Sequence, residues 1–271
     1  MLNLRSPIVA GRSFLRYRAL IWQMARQEVI SRYRGSMMGV LWALAHPVML
    51  LSVYTFIFHL VFKAQWTPGG ESSAEYALQL FAGLIVCSVF SECVNRAPTL
   101  ILNHVNYVKK VVFPLEVLPL VLLGGALFRM SVSLLVLLLF YAASHLSLNW
   151  TTIIFPLLVM PLALFSLGVS WFLASVGVFV RDVGHAITVV TNLMLFLAPV
   201  FYPISALPEA YRPFMYLNPL TFVVEQSRDV LIAGKLPSWY GLGMYSLCSI
   251  VVAWFGLVWF ERTRKGFADV L

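Results

Sequence analysis

Residues 20–47, LIWQMARQEVISRYRGSMMGVLWALAHP, change character in their middle, and that change decides the fold class. On a helix, Trp22, Ala25, Val29 and Tyr33 fall in one stripe with Ile21 and Ile30 beside it, while Gln23, Gln27, Ser31 and Arg34 fall opposite. That is the pattern of a helix lying in the interface plane of a membrane. Arg26, Arg32 and Arg34 then precede an apolar run that begins near Gly39, so anionic headgroups would hold this end of the chain on one side of a bilayer.

Working outward, hydrophobic residues make up 61% and charged residues 11% of 271 residues, against roughly 25% charged in soluble domains. The chain reads as an all-α, polytopic membrane protein. Its net charge of +8 does not point to nucleic acid, because the basic residues gather beside apolar runs, where they orient membrane spans. Met1 to Arg18 carries Arg5, Arg12, Arg16 and Arg18 without an apolar core, so it does not resemble a cleavable signal peptide, and the first span is expected to direct insertion. Cys87, Cys93 and Cys248 lie in apolar runs with neither metal-ligand spacing nor a disulfide framework, and read as small core residues.

A span needs about 20 apolar residues to cross about 30 Å of hydrocarbon. Six stretches qualify: about Gly39 to Phe62, bent early by Pro47; Tyr76 to Val94, with a helical continuation toward His104; Leu118 to Ala143; Ile153 to Val180; Ala186 to Phe201, which is barely long enough; and Tyr240 to Phe260. Six crossings put both termini on one side. Most of the basic residues fall on that side, so both termini are expected in the cytoplasm. The organisation is then a cytoplasmic N-terminus with the interface helix (1–38), a six-span domain (39–260) and a cytoplasmic tail (261–271).

Two connections are too unusual for plain loops. The cytoplasmic segment 95–118 holds a short amphipathic helix from Pro98 to Tyr107 followed by Lys109 and Lys110, a surface for a partner or a basic membrane-edge loop. The external segment 202–239 is apolar and proline-punctuated. Leu207 to Leu217 and Pro219 to Ala233 each suit a short helix started by its proline, and neither is long enough to cross. Both are expected to be re-entrant, dipping in and returning where protein or a wet cavity covers the backbone. Glu225, Arg228 and Asp229 in the second are expected to form a charge cluster at the water-facing rim.

The stretches ARQEVISRYRGSMMGVLWALAHP, NYVKKVVFPLEVLP, FVRDVGHAI and APVFYPISALPEAYRPFMYLNPLTFVVEQSRDVLIAG, in this order, resemble the type-2 ATP-binding-cassette exporter permeases of bacterial polysaccharide export. The RYRxSxxGxxW pattern, here Arg32, Tyr33, Arg34, Ser36, Gly39 and Trp42, is most similar to the O-antigen branch. The resemblance implies a permease homodimer in the inner membrane. It implies two copies of a separate ATPase subunit that binds ATP and Mg, and export of a lipid-linked polysaccharide, with lipids around the spans. It further implies that the interface helix and segment 95–118 touch the ATPase, which makes Glu28, Arg32, Asn103, Asn106, Lys109 and Lys110 candidates for coupling.

The residues agree with a non-enzymatic permease. No GxxxxGK[ST] occurs, the nearest being Gly234 and Lys235 followed by Leu236, so no phosphate-cradling loop and no cofactor of its own is expected. The histidines at 46, 59, 104, 145 and 185 share no helical spacing with a carboxylate, so neither a catalytic nor a metal site is expected. Gly35 and Gly39 form a GxxxG, and Asn149, Trp150 and Thr151 match a glycosylation acceptor by chance. Aromatics make up 14% of the chain. Tyr54, Phe58, Phe81, Phe90, Tyr202, Tyr216 and Phe222 are candidates to line or close a sugar path, or else belong to a belt or core. Pro199, Pro203, Asn218, Pro219, Glu225 and Arg228 join them as candidates for its outer closure. Arg129 lies about 11 residues into the third span, roughly 16 Å deep, and is expected to face the protein interior or a lumen because lipid would not hold it. Its partner stays open, since Glu92 is expected nearer the cytoplasm.

Capsular glycan, teichoic acid or another amphiphile are alternative cargoes. A membrane-embedded acyl- or glycosyltransferase is the alternative of another class.

Overall fold

In the computed structural model, residues 16–34, 39, 41–57, 73–109, 113–146 and 148–271 are described; Arg5, Arg12, Gly35, Ser36, Phe58, His59 and Lys110, singled out above, lie outside them. The described residues form helices joined by turns, with no strand among them. α1 is Arg18–Tyr33, α2 Leu41–Thr55, α3 Ser73–Leu100, α4 Val105–Lys109, α5 Leu118–His145 and α6 Phe155–Phe179. α7 is Val183–Leu197, α8 Arg212–Met215, α9 Pro219–Leu231, α10 Trp239–Thr263 and α11 Phe267–Val270.

Local chemistry sets the boundaries. Prolines open α5, α6, α8 and α9, where a missing N–H costs nothing. The Asn218 side chain caps α9 by accepting from the Leu220 N–H, and Ser238 caps α10 by accepting from the Gly241 N–H. α5 ends in a left-handed Leu146, whose N–H returns to the Ala142 carbonyl.

Among the described residues, four helical stretches are long and apolar enough to cross a membrane: Glu75–Leu100, Leu115–His145, Trp150–Phe179 and Trp239–Val270. α2 and α7 are apolar but have 15 residues each, or about 22 Å against the about 30 Å of hydrocarbon. Apolar side chains on α2, α7 and α10, such as Val48, Leu193 and Ile250, are exposed on outward faces. Cys248 is exposed with them, whereas Cys87 and Cys93 are buried as expected. A water-soluble protein does not display such faces; this is a multi-pass membrane protein.

α3 is the axis of the protomer. It packs on α2, α5, α6, α7 and α9, and 78% of its most apolar stretch is buried against 17% for α10. Its polar residues therefore find protein partners rather than lipid. The most extensive helix pair is α6 with α10. The glycines that allow it are Gly168 and Gly256: a Cβ on Gly168 would stand 2.6 Å from the Ala253 backbone.

Two expected helices come out differently. The stretch Leu207 to Leu217 is not one helix but a 3-10 turn, Glu209–Tyr211, followed by the single-turn α8. Pro208 and Pro213 remove two N–H donors, and the Arg212 side chain serves the carbonyls of Ser205 and Leu207 instead. Pro98 to Tyr107 is likewise not a separate helix: Pro98 ends within α3, a 3-10 turn covers Leu102–His104, and α4 follows.

Candidate functional site

The polar chemistry collects at the two ends of α3. At its C-terminal end, Glu92 gathers three arginines. Arg129 of α5 donates from Nε to Glu92 Oε2 at 2.6 Å and pairs through Nη2 with the other oxygen. Arg32 of α1 reaches Glu92 at 3.0 Å, and Arg96 at 3.4 Å. Arg96 also donates to Glu28 of α1 at 2.5 Å. Arg129 thus faces the protein interior as expected. Its partner is Glu92, the pairing that depth alone had argued against. Glu92 lies eight residues before the end of α3, about 12 Å, against about 16 Å for Arg129; the arginine stem covers the difference.

This network seats α1. No α1 residue is fully buried, and Trp22 in its apolar stripe is 74% exposed. Ala25 instead sits on Gly124, where a Cβ would meet it at 3.0 Å, and Glu28 packs over Gly125. Glu28 shares the packed face with Met24 and Val29 and does not belong to a lipid-facing surface.

Between α1 and the end of α3 lies a cavity of about 200 Å³ bordered by Glu28, Ser31, Arg96, His104 and Tyr107. Beside it Asn103, Asn106 and Lys109 are all exposed, spaced three apart. Tyr107 holds this segment in place, stacked between His104 and Phe113 with ring centroids 5.6 and 4.5 Å away. The C-terminal tail is docked nearby: Arg264 pairs with buried Glu116 at 2.8 Å, and Phe267 is fully buried against Phe179 and Phe260.

At the N-terminal end of α3, Arg228 of α9 is 6% exposed. Nε donates to the Gln79 carbonyl at 2.8 Å, Nη1 to Pro199 at 2.6 Å and Nη2 to Val200 at 2.7 Å. Tyr76 donates to Phe201, Asn218 to Met194 and Tyr202 to Phe196. Pro199 and Pro203 break the chain where α7 ends, so carbonyls there lack helical partners; Arg228, Tyr76 and Tyr202 supply donors, and Asn218 adds a second donor to the Met194 carbonyl, which already accepts from the Ala198 N–H. The expected rim cluster is corrected accordingly: Arg228 lies on the apolar stripe of α9 with Leu220, Val224 and Leu231 and is buried, where it borders, with the more accessible Glu225 and Asp229, a water-accessible pocket. Desolvation raises the pKa of both carboxyls. Tyr216, half exposed, donates to Glu225 at 2.9 Å.

The C-terminal end of α9 is held from the α5–α6 connection. Asn149 donates to the Ile232 carbonyl at 2.9 Å and Thr151 to Val230 at 2.6 Å, beside Gly234 at φ +65°. Asn149 and Thr151, two of the residues matching a glycosylation acceptor, thus cap the end of α9.

The remaining candidates separate by burial. Phe81 and Phe90 are buried in the core, 2% and 3% exposed. Phe222 packs on Tyr245, and Tyr54 is half buried. Glu92, Arg96, Gln79 and Tyr76 were not among the candidates. The available signal was a Glu and an Arg four apart inside an apolar run, since charges in such runs are paired.

The profile of the ABC-2 type transporter family matches residues 19–232, from α1 to the end of α9. The chain is 28% identical over 260 residues to the O-antigen export system permease protein RfbA of Myxococcus xanthus, covering 95% of this chain and 97% of that one. It is 28% identical over 254 residues to the protein of the same name from Klebsiella pneumoniae, covering 93% and 95%. The polysialic acid transport protein KpsM of Escherichia coli is 23% identical over 253 residues, covering 88% and 91%. With the profile matched through both ends of α3 and the helices that close on them, the chain belongs to the ABC-2 type transporter family.

Proposed function

We propose that this chain is the permease subunit of an ABC transporter that exports lipid-linked O-antigen-type polysaccharide across the inner membrane. The observation that carries this reading is the near full-length similarity to two O-antigen export permeases. The chain works as a homodimer with two copies of a separate ATPase, which binds the ATP and Mg. α2 and α7 cross as short spans, giving six crossings with both termini cytoplasmic, and α8 and α9 form the outer closure of the path.

The ATPase docks on Asn103, Asn106 and Lys109, with Lys110, and its movement reaches the spans through α1. Glu28 and Arg32 join α1 to α3 by ion pairs, so a push on α1 is delivered to Arg96 and Glu92. A capsular glycan is the second reading, favoured by the similarity to the polysialic acid transport protein.

The test is complementation in a strain lacking an O-antigen export permease, together with the matching ATPase. Restored surface polysaccharide supports the reading. Hydrolysis of ATP by the purified chain alone would sink it.

A further inference from the structure

The pocket beside Arg228 is polar and leaves several acceptors unused. Its volume is about 590 Å³, within the range of small-molecule sites, about 300 to 1,000 Å³. Much of its donor capacity is already engaged. Arg228 gives all three nitrogens to backbone carbonyls, Arg212 gives Nε and Nη2 to Leu207 and Ser205, and Tyr216 gives its proton to Glu225. Its acceptors are open. Gln79 Oε1 is buried without a hydrogen-bond partner, on a residue 8% exposed that lines the pocket. Glu225 Oε1 and Asp229 Oδ1 accept nothing among the described residues, each carboxylate using only its other oxygen.

An unsatisfied buried amide oxygen costs stability, and this one belongs to a residue that lines the same pocket as two half-used carboxylates. These unused acceptors suit an occupant that donates hydrogen bonds. It has no reason to be cationic, because two guanidiniums balance the two carboxylates around the cavity. Among the described residues no three His, Cys, Asp or Glu converge to hold a metal ion. Tyr216, 54% exposed, offers an aromatic face at the same pocket. Several neutral donors beside an aromatic ring describe the hydroxyl edge and C–H face of a sugar.

We propose that this pocket is a glycan subsite that binds one or two neutral sugar residues of the exported chain, with Gln79, Glu225 and Asp229 as hydroxyl acceptors. The proposal rests on the export reading above and adds where the chain is held beside α9.

The test uses the full chain reconstituted in nanodiscs, with Ser205→Cys as reporter in a Cys248→Ser background; Cys87 and Cys93 are buried. Maltopentaose at millimolar concentration should slow labelling of position 205 by a membrane-impermeant maleimide, and spermidine should not. Gln79→Met and Asp229→Asn should each weaken that protection about tenfold, and Gln79→Met should leave the thermal midpoint unchanged or raised, because it deletes an unpaired buried acceptor. No protection by the oligosaccharide, equal protection in both variants, or protection by spermidine alone would overturn the subsite. So would a lowered midpoint in Gln79→Met, which would make Gln79 part of the scaffold. The labelling needs no turnover, so a wild-type chain that labels as expected and yet fails to export would count against the transport reading and not against the pocket.

Discussion

Arg228 and Glu92 are each shared by several partners, and this sharing sets what their loss costs. Arg228→Met strands the carbonyls of Gln79, Pro199 and Val200 in a buried site, so the purified protein should lose about 3 to 5 kcal/mol of stability. Arg228→Lys should recover only part, since one ammonium does not reproduce the planar fork that reaches three oxygens. A thermal midpoint for Arg228→Met equal to wild type would show that the carbonyls find other donors. At the opposite end of α3, Glu92→Ala should be more damaging than Arg129→Ala, because it leaves Arg32, Arg96 and Arg129 without their common acceptor. The double variant Glu92→Leu with Arg129→Leu should be milder than the sum of the single changes. Purely additive losses across that cycle would mean the pair is not coupled. These residues also mark where sequence reading stopped. Arg228 follows Glu225 at the spacing of an exposed ion pair, and the same position continues the apolar stripe from Val224. Only the fold reveals which of the two wins. It is the stripe, because the broken end of α7 needs donors.

At the scale of elements, the long helices α3, α5, α6 and α10 were legible to within a few residues, because uninterrupted apolar runs of this length have few other solutions. The start of α9 was legible too, since Asn218 and Pro219 supply a cap and a fixed φ. The helix expected over Leu207 to Leu217 was not, because two prolines there outweigh its apolar content. The depth of Glu92 and the burial of α3 depend on how helices are arranged, which hydrophobicity does not record. The α6–α10 contact gives an element-level prediction. Gly256→Leu should separate the pair and cost about 2 kcal/mol or more, because its Cβ would collide with the Gly168 backbone. Gly243→Ala, with open space around it, should be neutral or stabilise α10 by up to about 1 kcal/mol. Both are read from thermal unfolding in detergent, and a tolerated Gly256→Leu would contradict the close packing.

For the whole molecule, the exposed surface of Asn103, Asn106 and Lys109 lies next to α1, whose ion pairs reach α3. Lys109→Glu combined with Asn106→Asp changes only exposed side chains. It should leave expression and thermal midpoint unchanged while lowering transport several-fold. Glu28→Lys removes the pair with Arg96 and should loosen α1 itself, seen as faster proteolysis near residues 18–33. The measurement that tests the central claim most directly is ATP-dependent polysaccharide export by the reconstituted chain with its ATPase, wild type against the Lys109→Glu and Asn106→Asp double variant. Robust export by the wild type, with hydrolysis uncoupled from export in the variant, is the expected result. No polysaccharide translocated by a well-folded, ATP-hydrolysing wild-type complex would contradict the account.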